Sequence, residues 1–194
     1  VQLIGKISND RPLLVLAVEE EAQYLDTSLP VLLTGMGKVN AATALAAALA
    51  RGPLPSEVVN LGTAGALRSG WNGTHVIGTV VQHDLDSDTL RTLTGDTYGA
   101  PLTIGDPDGP TLATGDSFVE SGAARAQLAE RAPLVDMEGY ALATAALRAD
   151  VGIRLVKHVS DDADEGAAKS WRESVATCAR ALAIWADHNL PTYT

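Results

Sequence analysis

Three carboxylates fall within four residues of LVKHVSDDAD (155–164): Asp161, Asp162 and Asp164, directly after an apolar run with the make-up of a strand. A solvated turn accounts for most such clusters. The chemical alternative is that one carboxyl exchanges a proton with a reacting group. Two other apolar runs also end in acids: LLVLAV (13–18) leads into Glu19, Glu20 and Glu21, and PLV (133–135) into Asp136 and Glu138. In open α/β sheets, ligands bind beyond the carboxyl ends of the strands. Acids at three strand ends on one side of a sheet would therefore share a site. Other strand ends add glycines at 35–37 and 62–65 and the aromatic Phe118, with Lys38 and Lys157 the nearest cations. Such a site favours a neutral or cationic ligand carrying hydroxyls over a phosphate ester.

Other chemistry-bearing patterns are incomplete. TGMGKVN (34–40) carries two glycines of a G-x-G-x-x-G fingerprint, but Asn40 stands at the third and the stretch follows the second strand. No acid follows at the distance that a dinucleotide site requires. The stretch reads instead as a tight turn whose amides approach a ligand. HDLDSD (83–88) offers metal-ligand residue types without a second cluster to complete a coordination sphere, so neither metal nor cofactor is expected. The chain contains no G-x-x-x-x-G-K-S/T and no G-x-S-x-G. Its one cysteine, Cys178, lies in an Ala-rich helical stretch and reads as a buried thiol.

The elements that must position these acids follow from length and pattern. With 194 residues, 46% hydrophobic and 4% aromatic, the chain reads as one domain, 1–194, whose core is built from Ala, Val and Leu. A net charge of -10 argues against nucleic acid or an anionic membrane surface as partner. No apolar run approaches the roughly 20 residues that cross a bilayer. VQLIGKISND lacks the apolar stretch and cleavage pattern of a secretory signal, so a cytoplasmic protein is expected. Strands are predicted in 13–18, 31–35, 74–84 (interrupted at Gly78), 109–118, 133–139 and 153–160. The stretch 57–65 reads as a strand closing in a Gly-rich turn. Helices are predicted from 19, in 38–52, 120–132 and 140–150, and in the closing 168–190. Residues 85–110 break the rhythm and read as a long loop or small excursion. The alternation predicts an α/β fold, with helices on both faces of a largely parallel sheet.

Six stretches carry a resemblance. VEEEA (18–22), TGMGKVNAA (34–42), NLGTAGAL (60–67), TGDSF (114–118), VDMEGYALA (135–143) and VKHVSDDAD (156–164) occur in the order found in the nucleoside phosphorylase superfamily. They are most similar to its hydrolytic branch, the methylthioadenosine/S-adenosylhomocysteine nucleosidases. The resemblance runs from about residue 13 to the final helix and is weakest at 85–110. It implies a single-domain three-layer α/β/α fold with a central mostly parallel (mixed) sheet, a homodimer, and cleavage of the N-glycosidic bond of a purine nucleoside. Phosphorylases of this superfamily hold phosphate on a Gly-Asp-Pro-x-Arg loop after the first strand, where this chain has AVEEEA; Asn60 stands where they place an arginine. Both departures favour water as nucleophile.

The resemblance further implies a role for each residue. Asp161 is the general acid that delivers a proton to N7 of the purine, and Glu21 activates water on the opposite face of the ribose. Glu138 accepts the ribose hydroxyls beside Met137. Phe118 stacks on the base, and the Val119 backbone reads its edge. Thr63 replaces a serine near the water, followed by Ala64 and Gly65, and Ser160 orients Asp161. Asp162 and Asp164 are left as solvent-facing turn residues. Lys157 stands where the family usually has an arginine that fixes the water or its glutamate; the charge stays, but the planar fork is lost. His158 beside it replaces a small residue. The chain is also shorter around 85–110, a region that in the family shapes the pocket for the 5′ substituent. The expected substrate is a 5′-modified adenosine such as methylthioadenosine or S-adenosylhomocysteine. A phosphorylase, a futalosine-type hydrolase and a non-catalytic nucleoside-binding protein remain the alternatives.

Overall fold

A computed structural model describes residues 1–119, 122–162 and 167–191, so Asp164 lies outside the described residues. The first half runs β1 (Gln2–Ile4), β2 (Leu13–Leu16), α1 (Glu19–Ala22), β3 (Val31–Leu33), α2 (Lys38–Ala50), β4 (Val58–Ala66), β5 (Thr74–Val76) and β6 (Thr79–Gln82). The second half runs α3 (Ser87–Thr94), β7 (Leu102–Thr103), β8 (Thr111–Thr114), α4 (Gly122–Arg131), β9 (Leu134–Asp136), α5 (Gly139–Arg148), β10 (Ile153–Asp161) and α6 (Ala167–Asn189).

The period-two alternation of LLVL divides β2 between two cores. Leu13 and Val15 enter an apolar cluster with Leu45 of α2, Leu142 of α5 and Leu155 of β10. Leu14 and Leu16 enter a second cluster with Val59, Leu61, Val156 and Leu182 of α6. The sheet is thus covered on both faces, giving the three layers expected. Its strand order is β1-β3-β2-β4-β9-β8-β6-β7, with β10 paired to β4 and β5. The pairs β2–β3, β2–β4, β4–β10, β6–β8 and β8–β9 are parallel; β1–β3, β4–β9, β5–β10 and β6–β7 are antiparallel.

β4 organises the site. On one side it is paired to β10 along most of its length. On the other it pairs with β2 only at residues 58–60 and with β9 only at 65–66. Between these two short ladders the sheet opens at residues 61–64. The GTAG stretch is therefore extended strand and not the turn expected from its glycines; β10, paired alongside, holds it extended.

Two further expectations are corrected. Residues 85–110 contain α3 and β7. The Asp86 carboxylate caps α3 by accepting from the Thr89 amide at 3.0 Å, and Gly95 closes it in a left-handed conformation. No residue of α3 is buried. β1, which pairs with β3 at the sheet edge, was not anticipated, and all three of its residues are exposed. Gly78 separates β5 from β6 as expected: a Cβ there would collide with the Asp106 carbonyl.

Candidate active site

Glu21 sits in α1, one short turn beyond β2, and is 4% exposed. Its Oε1 accepts from the Thr63 amide at 2.9 Å and from Thr63 Oγ1 at 3.0 Å, and its Oε2 from the Ala17 amide at 3.3 Å. The Thr63 amide points into the gap where β2 has ended and β9 has not begun. A buried amide without a partner is costly, and the Glu21 carboxylate occupies the place of the missing strand.

Glu138 follows β9 as the N-cap of α5 and is also buried. Its Oε1 accepts from the Gly37 amide at 2.8 Å, and the neighbouring Lys38 amide donates to Asp116 Oδ1 at 2.7 Å. Gly37 adopts φ 91°, a left-handed conformation that glycine adopts without strain. The turn before α2 was expected to offer its amides to a ligand. Instead they bind two carboxylates of the chain itself, which also complement the positive end of the helix. Burial, and then the Asp136 charge, push the Glu138 carboxyl up to about 7, against the opposing pull of Lys157 and the Gly37 amide.

Lys157 is 1% exposed and does not line the cavity. Its Nζ lies 2.9 Å from Asp136 Oδ2, beneath the floor of the site. Asp136 is held in turn by the Thr114 hydroxyl at 2.6 Å and the Gly139 amide at 2.8 Å. Burial works against the lysine charge, but the Asp136 and Glu138 carboxylates outweigh it and hold Lys157 above the usual lysine range. Lys157, which the resemblance places where an arginine fixes the water or its glutamate, is thus held in an internal ion pair with Asp136 and lies outside the cleft lining.

Asp161 ends β10. The pairing with β4 shifts between Val159 and Asp161, leaving Ser160 as the extra residue of a bulge. In a regular strand, consecutive side chains face opposite ways; a bulge lets both point to one side. Ser160 and Asp161 accordingly both line the cavity, with Ser160 Oγ donating to Asp161 Oδ2 at 2.6 Å. Asp162 is exposed, and its carbonyl accepts from Arg125 Nη2 at 2.8 Å.

One open cleft collects these groups. Apart from Lys157, every residue to which the resemblance gives a part in the site lines it: Glu21, Thr63, Ala64, Gly65, Phe118, Val119, Met137, Glu138, Ser160 and Asp161. Asp136, Met36 and Trp171 line it too, and among the described residues no lysine or arginine does. The role of Asp136 was missed although the signal existed, since a lysine inside an apolar strand needs a buried carboxylate. Trp171 gave no local signal, because only the packing of α6 brings it to β4. Among the described residues no group of three or more His, Cys, Asp or Glu side chains is placed to hold a metal ion. Among the described residues no helix is long and apolar enough to cross a membrane.

A family model described as the phosphorylase superfamily matches residues 23–109 and 108–187. The chain belongs to the phosphorylase superfamily. Among solved structures of this fold, a mutant of Helicobacter pylori MTAN with 5′-methylthioadenosine in its active site superposes with a TM-score of 0.81 at 19% identity, over 93% of this chain and 98% of that one. Helicobacter pylori futalosine hydrolase gives 0.79 at 20% identity, over 92% and 96%. An S-adenosylhomocysteine nucleosidase from Streptococcus pyogenes, in complex with 5-methylthiotubericidin, gives 0.79 at 24% identity, over 97% and 100%. A search of curated proteins finds no match. At these identities, the likeness establishes that this superfamily member shares their fold.

Proposed function

We propose that the chain, acting as one domain, hydrolyses the N-glycosidic bond of a purine nucleoside and releases the free base. The observation that carries this reading is the meeting of Glu21, Glu138 and Asp161 in one cleft, lined among the described residues by no cationic side chain. As the C1′–N9 bond breaks, the ribose becomes oxocarbenium-like, and a negative site stabilises that charge. Asp161 delivers its proton to N7 of the departing base, with Ser160 fixing the orientation of its carboxyl. Glu21 takes a proton from water as the water oxygen bonds to C1′. Glu138 accepts the ribose hydroxyls, Phe118 stacks on the base, and the Val119 backbone reads its edge. A phosphate nucleophile would face Glu21, Glu138 and Asp161, while Lys157 lies outside the cleft lining with its charge paired to Asp136, so water is favoured over phosphorolysis.

A 5′-modified adenosine is the favoured substrate, methylthioadenosine or S-adenosylhomocysteine first; the likeness to a futalosine hydrolase supports a futalosine-type nucleoside as the second reading. A homodimer is supported by the groove between α2 and α5, where Val39 is 72% exposed beside Ala42, Ala46, Tyr140 and Ala145. A cytoplasmic place fits the lone, buried, unpaired Cys178.

The test is chromatography of released base and sugar from methylthioadenosine, S-adenosylhomocysteine, 5′-deoxyadenosine, adenosine, inosine and futalosine, with and without phosphate. Free ribose products at an unchanged rate in both conditions are expected. Ribose 1-phosphates would establish a phosphorylase, and tight binding without base release a binding protein. Asp161→Asn lowers turnover by about 10²-fold or more, the scale of losing a general acid.

A further inference from the structure

The C-terminal helix reaches the candidate base through two hydrogen bonds. Trp171 of α6 lines the cleft, and its indole Nε1 donates to Thr63 Oγ1 at 2.9 Å. Thr63 Oγ1 lies 3.0 Å from Glu21 Oε1, the oxygen that also accepts the Thr63 amide. An indole N–H only donates, and a hydroxyl has a single proton. With the indole proton directed at Oγ1, the hydroxyl proton is directed at Glu21. The chain of bonds thus has a fixed sense, from helix to carboxylate.

Its effect on Glu21 is asymmetric. Both Thr63 donors converge on Oε1, while among the described residues Oε2 accepts only the Ala17 amide, at 3.3 Å. Oε2 is therefore the oxygen with lone pairs to offer water. If the indole donor were absent, the Thr63 hydroxyl would be free to turn and donate elsewhere. The carboxylate would then keep only the backbone bond on that side. The position matters because Glu21 fills the opening between β2 and β9, where no strand backbone restrains it.

We propose that Trp171 is a positioning residue that orients Glu21 through the Thr63 hydroxyl, so that Oε2 faces the attacking water. This rests on the hydrolytic reading above. The test is a double-variant cycle of wild type, Trp171→Phe, Thr63→Val and the pair, assayed for base release from methylthioadenosine. It is joined by the indole N–H resonances of ¹⁵N-labelled protein. Trp171→Phe keeps an aromatic ring and removes the donor. It is expected to lower kcat about tenfold, the scale of one hydrogen bond to a charged group, with KM changed less than about twofold. In the Thr63→Val background the same substitution changes kcat less than about twofold, and Thr63→Ser restores the dependence on Trp171. The Trp171 Nε1–H resonance, assigned by its loss in Trp171→Phe, moves in Thr63→Val. A tenfold effect that persists in Thr63→Val, a change carried by KM, or an unmoved resonance overturns the proposal. Should Trp171→Phe not fold, Trp171→Tyr takes its place in the cycle, and the Trp171 resonance is assigned by elimination from Trp71→Phe and Trp185→Phe. A wild type that releases no base from any nucleoside defeats the hydrolytic reading itself, a different outcome from an active enzyme with independent variants.

Discussion

The floor and the rim of the cleft are built on opposite principles. At the floor, Asp136, Glu138 and Lys157 are buried and bonded to one another, to backbone amides or to the Thr114 hydroxyl. At the rim, Phe118 is 45% exposed and lies beyond β8, on a segment without regular structure. On the proposed reading, the buried, bonded groups of the floor fix one electrostatic field, and the exposed side chains of the rim govern what enters it. Strand ends then carry the chemistry, and the loop after β8 the choice of ligand.

The sharpest way to break this division is at Glu21. Glu21→Gln removes the acceptor of the water proton and lowers turnover by about 10³-fold or more, within the range of a lost general base, while equilibrium binding of nucleoside persists. Collapse of binding would mean that Glu21 belongs to the floor alone. Next is Lys157→Ala, which leaves the Asp136 carboxylate buried without its ammonium. The expected loss is about 3–5 kcal/mol, read as a fall in Tm of roughly 10 °C. The paired change Asp136→Asn with Lys157→Met recovers much of it.

The third test is pH. Glu138 titrates near 7 in the fold against an ordinary 4.5, so it binds a proton in the folded state that the unfolded state has released. Its contribution to stability is fully present below about 4.5 and lost as pH rises to about 7. Wild type therefore loses more Tm between pH 5 and pH 8 than Glu138→Gln does. The ionised form is also the one that accepts ribose hydroxyls, so kcat/KM climbs through about 7 with rising pH, and that limb vanishes in Glu138→Gln. The smallest effect belongs to the rim. Phe118→Ala raises KM about tenfold, the scale of one base–aromatic stack, with kcat and Tm little changed.

How much of this was legible depended on how local each cause is. The two-faced β2 and the Ala-rich α2 follow from periodicity and composition, and they were expected where they lie. The meeting of Glu21, Glu138 and Asp161 was legible from each acid's place at a strand end, although β9, which leads to Glu138, runs antiparallel to β4. Lys157 was misplaced because its partner is chosen in three dimensions, by the burial that brings Asp136 beneath it. The GTAG stretch was misread because glycine at a turn and glycine beside a close-packed lysine look alike: a Cβ on Gly62 would lie 3.0 Å from Lys157 Nζ. α3 carried legible caps, Asp86 and Gly95, in a segment whose composition argued for a loop. Trp171 depends wholly on where a distant helix docks.

The open seam of β4 has one more consequence. If Glu21 is the base proposed, an acid that doubles as a surrogate strand ties activity to the mechanical integrity of the sheet. Amide exchange at Thr63 is the natural gauge: it quickens when the acid is lost, even in a molecule whose melting point has barely moved.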